Sequence, residues 1–227
     1  MDLAERQAFR PRDPTDHMVG SLHRRPSGAA SSEMPVNCEM TRVITVSGLH
    51  GTGKSSVADR LAQDFGLRKV SAGIIFRTLA KERGLTLEEF SKAAESDTEI
   101  DKMLDDTLKE EAKKGFVVLD GQLAAWMAGE HADLRILLTA PLDVRVKRIA
   151  DRDGGDFKFA KRETIARERS EKARYTKLYG INIADTTVYD IVLNTDKYDL
   201  EGVVAVLKAA IGLYFASVEG KAHQAED

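Results

Sequence analysis

From Thr41 onward the chain alternates short apolar runs with stretches of helical spacing. Val43–Ser47 is a β-branched run that ends at a glycine. Lys54–Phe65 carries apolar residues at Val57, Ala58, Leu61, Ala62 and Phe65, one face of a helix, and Gly66 closes it. Lys69–Ser71 reads as a short second strand. Three helices are expected at Ile74–Arg83, Thr86–Glu95 and Thr98–Lys114, the last two opened by Thr86-x-x-Glu89 and Thr98-x-x-Asp101. Phe116–Leu119 and Leu134–Thr139 are apolar runs of strand length, and Pro141 suits the first turn of a helix through Asp151. Asp153–Asp156 is a break with two glycines. A long charged helix over Lys161–Leu178, a fifth strand at Asp190–Leu193 and a closing helix at Leu200–Phe215 complete the pattern. Apolar strands separated by helices imply an α/β fold, a parallel sheet covered on both faces.

Residues 1–40 break that pattern. They hold four of the five prolines and a Ser/Gly/Ala run, with no sustained apolar period. Such a segment cannot bury enough surface to offset its ordering entropy, so a disordered extension is expected, followed by one domain over 41–218 and a flexible tail over 219–227. Its arginines are mixed with acids, unlike a transit peptide.

The 227 residues carry 34 Lys+Arg against 37 Asp+Glu, a net charge of −3. That balance, with 6% aromatics, argues against a nucleic-acid-coating protein. One cysteine, Cys38, excludes an internal disulfide and a multi-cysteine zinc site. The most apolar stretch, Val203–Val218, is interrupted by Lys208, so no membrane span is expected. A soluble, cytoplasmic, monomeric protein is the expectation.

The chemistry concentrates at Gly48-Leu49-His50-Gly51-Thr52-Gly53-Lys54-Ser55, a full match to G-x-x-x-x-G-K-[ST] between a strand and a helix. Its glycines let successive amides turn toward one anion, and the following helix adds its positive dipole end. Lys54 is expected on the β- and γ-phosphates of ATP and Ser55 on Mg²⁺. Ser56 is a further hydroxyl, and His50 reads as the filling of a variable position. Val117–Asp120 is an apolar strand ending in an acid. Ligands of such sheets sit at the carboxyl ends of strands, so Asp120 is expected to face the Mg²⁺.

Phosphoryl transfer to a phosphate acceptor brings two polyanions together. Each pair of unit charges at ~4 Å repels by about 1 kcal/mol in water and about 4 kcal/mol at an effective dielectric of 20. The site therefore needs fixed cations more than a general base. Arg77 lies one turn into a helix. Arg145, Arg148 and Arg152 share one helical face, and Arg167, Glu171 and Arg174 another, on either side of Gly154-Gly155. As a set flanking a glycine break they suggest a lid over about 152–165, with Arg148, Arg152 and Arg174 as catalytic cations. A GTPase switch is disfavoured: Asn194-Thr195-Asp196-Lys197 has the wrong order for guanine reading. Trp126 and Met127 read as core.

The segments GLHGTGKSS, SAGIIFRTLAKERGLTLEEFSKAAESD, VVLDGQLAAWM and RERSEKARYTKLYGI resemble the archaeal-type cytidylate kinases, a branch of the P-loop nucleoside monophosphate kinases. The resemblance covers nearly all of 41–215. It implies a three-layer sandwich with strand order 2-3-1-4-5, an acceptor-binding helical insert over about 72–115, and Mg²⁺-dependent transfer from ATP to CMP or dCMP. It implies acceptor contacts from Ser71, Gly73 and Arg77, and from Arg167, Glu171 and Arg174, which match an Arg-x-x-x-Asp-x-x-Arg pattern with Glu for Asp. Where the family reads acid-Gly-Arg, this chain has Asp120-Gly121-Gln122, which removes a cation expected to hold the acceptor phosphate. A small P-loop kinase for another acceptor, such as AMP, is the alternative.

Overall fold

The computed structural model describes residues 41–225; the extension expected over 1–40 lies outside them. β1 (Val43–Ser47), β2 (Arg68–Ser71), β3 (Val117–Asp120), β4 (Leu134–Thr139) and β5 (Ile191–Asn194) form one parallel sheet in the order β2-β3-β1-β4-β5. Around it run α1 (Lys54–Phe65), α2 (Ala72–Glu82), α3 (Leu87–Ser96), α4 (Thr98–Lys114), α5 (Ala124–Ala128), α6 (Leu142–Asp153), α7 (Phe157–Tyr179) and α8 (Leu200–Ala225).

One face of the sheet packs Ile44, Val46, Val118, Ile136 and Leu138 against Val57 and Leu61 of α1 and Leu207 and Ile211 of α8. The other packs Val43, Val117 and Leu119 against Leu108 of α4 and Leu123 and Met127 around α5. Both faces of β1 and β3 are thereby covered, which is why these strands read as unbroken apolar runs. Helices α2, α3 and α4 add a cluster of their own, Phe76, Ala80, Phe90, Ala94, Ile100 and Leu104, with the Phe76 and Phe90 rings 4.7 Å apart. Trp126 meets Tyr189 edge-on at 5.6 Å and packs beside Met127 against the core.

Element ends differ from the sequence pattern where caps decide them. α2 starts at Ala72, two residues early, because Ser71 Oγ accepts from the Ile74 amide. α7 starts at Phe157 because Asp156 caps the Phe159 amide. Pro141 is the N-cap of α6, not its first turn. α8 continues ten residues past Phe215, so most of the tail expected from 219 is helical. Over Leu200–Lys221 this helix is long and apolar enough, by length and composition alone, to cross a membrane, with a mean hydropathy of 1.6; Lys208 does not interrupt it as expected. Its Val203, Leu207, Ile211 and Phe215 are buried against the α1-covered face of the sheet.

Strand register brings three chain ends together. Val46 of β1 and Ser71 of β2 both pair in register with Asp120 of β3. The carboxyl ends of β1, β2 and β3 therefore lie side by side, and the segments 48–53, the start of α2 and 121–123 leave from the same edge.

Candidate active site

The loop from Gly48 to Gly53 turns tightly between β1 and α1. Gly48 has φ +146° and Gly51 φ +80°, and a Cβ on either would collide with backbone, of Leu138 and Arg145 respectively. Only glycine fits both positions. Gly53 caps α1 without a side-chain hydrogen bond, which leaves the first amides of the helix for a ligand. The Leu49 carbonyl accepts from Thr52 Oγ1 at 2.8 Å and from Lys54 Nζ at 2.9 Å. Burial lowers the Lys54 pKa, opposed by the charges of Asp120 and Glu171. The ammonium is half-buried in the loop, within the field of two carboxylates. Ser55 is half-buried and Ser56 exposed.

Asp120 is buried, and Ser71 Oγ donates to its Oδ2 at 2.7 Å. Ser71 therefore both caps α2 and fixes Asp120. Arg77, one turn further along α2, is exposed. Its pKa is lowered first by partial desolvation and then by the charges of Arg152 and Arg167. The charges of guanidiniums on α6 and α7 thus act on Arg77 of α2, as an anion site would require. Gly73 lies beneath this side chain: a Cβ there would touch Arg77 Nη1 at 3.5 Å.

The remaining predicted arginines divide in a way the spacing did not show. Arg145 is buried and donates to the His50 carbonyl at 2.9 Å while pairing with Glu168 of α7, so it ties the loop to that helix. Arg148 donates to Thr195 Oγ1 and to the Thr195 carbonyl, both at 2.8 Å, and Thr195 Oγ1 lies 3.2 Å from the Thr52 carbonyl. Arg152 is exposed and pairs with its neighbour Asp153. Arg174 is buried against Asp101 at 2.8 Å and takes Ser170 as a second partner. Asp101, Glu168 and Thr195 were missed in the sequence. The only signal for Thr195 was its place within a near-match to a guanine-reading motif; the sequence pattern makes Asp101 a capping acid, a role that Asp97 takes instead, and Glu168 sat unmarked in a charged helix.

His50 is no variable filler. Its Nε2 lies 2.7 Å from Glu171 Oε2, and Gln122 Nε2 donates to the same oxygen at 2.6 Å. Arg167 Nε donates to Glu171 Oε1 at 2.9 Å, with its guanidinium over the Phe76 ring. Burial would raise the Glu171 pKa, but His50, Arg167 and Gln122 together hold it well below the usual carboxylate range. Burial likewise lowers the His50 pKa against the pull of Glu171. Glu171 is therefore an anion inside the site.

Comparison with known proteins decides the family. The model of the cytidylate kinase-like family matches residues 43–197. The chain belongs to the cytidylate kinase-like family. The cytidylate kinase of Pyrococcus horikoshii is 48% identical over 169 residues, covering 74% of this chain and 88% of the relative. That of Methanocaldococcus jannaschii is 47% identical over 172 residues, covering 74% and 97%. Among solved structures, a gluconokinase from Sinorhizobium meliloti superposes with a TM-score of 0.54 at 14% identity, over 80% of this chain and 98% of that one. A shikimate kinase from Bacteroides thetaiotaomicron gives 0.51 at 15%, over 75% and 98%. Those two share the fold. This kinase is a phosphotransferase.

Proposed function

We propose that this enzyme reversibly transfers the γ-phosphoryl group of ATP to CMP or dCMP, giving ADP and CDP or dCDP. The observation that carries the reading is the meeting of the β1, β2 and β3 carboxyl ends, which sets the loop bearing Lys54 beside Asp120 and the start of α2, where the charges of Arg152 and Arg167 act on Arg77. Identity of 47–48% to named cytidylate kinases supports the choice of acceptor.

The triphosphate sits in the amides between Gly48 and Ser56, and Lys54 leaves the Leu49 carbonyl for the β- and γ-oxygens. Ser55 and Asp120 are hard oxygen donors at neighbouring chain ends, suited to Mg²⁺, which would neutralise phosphate charge when bound. The described residues hold no group of three His, Cys, Asp or Glu that could bind a metal alone, as fits an ion whose other ligands are phosphate and water. α2, α3 and α4 hold the acceptor, with its phosphate on Arg77 and Arg167. The acceptor phosphate is already mostly ionised at neutral pH, so the protein supplies position and positive charge rather than a base. The corner between α6 and α7, with Gly154 and Gly155, brings Arg152 over the transferring group and excludes water. The enzyme acts as a monomer in the cytoplasm.

The test is ADP release against CMP, dCMP, UMP, AMP and GMP. Turnover confined to the cytidine acceptors is expected. Turnover confined to AMP would replace the proposed acceptor.

A further inference from the structure

Gln122 stands where the resemblance led us to expect an arginine on the acceptor phosphate, yet its amide is committed elsewhere. Gln122 Nε2 and His50 Nε2 lie 2.6 Å and 2.7 Å from the same oxygen, Glu171 Oε2, and 3.0 Å from each other. A carboxylate only accepts, so both nitrogens carry protons toward it: His50 is the Nε2–H tautomer, and the Gln122 amide cannot be flipped without setting Oε1 against the carboxylate. Gln122 Oε1 has no partner among the described residues. Glu171, whose side chain is 5% exposed, is thus saturated on one oxygen by two short donors.

That leaves Oε1 alone for Arg167, which reaches it through Nε at 2.9 Å. Its two terminal nitrogens have no hydrogen-bond partner among the described residues. Without donors on Oε2, an arginine four residues away on the same helix would close on the carboxylate with its full fork, the stronger two-bond geometry. The terminal nitrogens would then be spent internally.

We propose that His50 and Gln122 work as one positioning pair: by occupying Glu171 Oε2 they hold Arg167 to a single bond and keep its terminal nitrogens aimed at the acceptor phosphate. This rests on the proposed acceptor reading. The charge lost with the family arginine is made up by presenting an existing arginine more fully. The pair also spans the molecule, from the nucleotide loop through the end of β3 to α7, so that the loop binding one substrate braces the cation meeting the other.

The test is steady-state kinetics with each substrate varied in turn, on His50→Ala, His50→Gln, Arg167→Ala and the His50→Ala/Arg167→Ala double variant, each checked by thermal melting. Glutamine places an N–H donor near the position of histidine Nε2. His50→Ala should raise the acceptor KM roughly tenfold and the ATP KM far less, and His50→Gln should restore the acceptor KM. In the Arg167→Ala background, His50→Ala should raise the acceptor KM no further. A rise confined to the ATP KM, no rescue by glutamine, or additive effects with Arg167→Ala would each overturn the proposal. A crystal structure of His50→Ala gives a readout free of activity: Arg167 should lie on both oxygens of Glu171, and a retained single Nε bond would overturn the clamp. Lack of CMP turnover by the unmodified chain would defeat the acceptor assignment instead, and that structure would still decide the clamp.

Discussion

Arg148 and Arg152 lie four residues apart on one helix, yet their surroundings assign them different work. Arg148 holds the Thr195 hydroxyl and carbonyl, and through them the backbone of the nucleotide loop. Truncating it strands a buried Thr195 carbonyl, so Arg148→Ala should lose about 1–3 kcal/mol of stability and raise the ATP KM. Arg152 makes only an exposed pair with Asp153, an interaction worth little. Arg152→Ala should stay within about 0.5 kcal/mol of the parent, while kcat falls on the order of 10³-fold if this arginine meets the transferring phosphoryl group. Denaturant melts beside initial rates separate the two; equal stability loss in both variants would erase the distinction. Their spacing placed both on one face, but helical periodicity does not say how far a long side chain reaches or what it finds there.

Helices α4 and α7 meet through charge as well as packing. Arg174 of α7 pairs with Asp101, leaving Asp105, one turn along α4, as a second buried acid with Oδ2 unpartnered among the described residues. Burial pushes the Asp105 pKa from 3.8 up to about 6, opposed by the Tyr179 hydroxyl beside it and helped by the Asp101 charge. Between about pH 4 and 6 the folded chain therefore binds more protons at this site than the unfolded chain. Stability from this group is fully present below about pH 4, falls as pH rises toward 6, and stays reduced above it. Asp105→Asn should remove that slope, matching the parent near pH 3.5 and exceeding it at pH 7 by on the order of 1–3 kcal/mol. Urea melts across pH check this, and an unchanged or lower stability at pH 7 would contradict it. In the sequence, Asp101 and Asp105 were two acids in a helix rich in Lys and Glu. The apolar spacing of α4 marked a core face without revealing that acids share it.

At the scale of the whole chain, the site joins elements from both halves of the sequence, so its ligands should stabilise the entire fold. With MgATP and CMP each near 100 times its Kd, either ligand alone adds about 2.7 kcal/mol, a rise in Tm of roughly 5–10 °C for a domain of this size. The two together should add at least the sum. Chelating the magnesium should remove most of the ATP contribution and little of the CMP contribution. A Tm that responds to ATP but to none of the nucleoside monophosphates would count against the acceptor site.

The order of strands and helices, and the loop at Gly48–Ser55, were written locally. An apolar run, the glycine spacing of the loop and a cap three residues from its amide all act within a few positions of one another, although what leaves Gly48 and Gly51 no room for a Cβ is the distant backbone of Leu138 and Arg145. The fate of the charged side chains was not. α7 is polar on nearly every face, and its partners lie far off in the chain, 121 positions for His50 with Glu171 and 73 for Arg174 with Asp101. Which guanidiniums turn inward to hold the loop and which stay free for an anion follows from where parallel strands bring distant loops together, and burial at that meeting point is what gives each charge its partner.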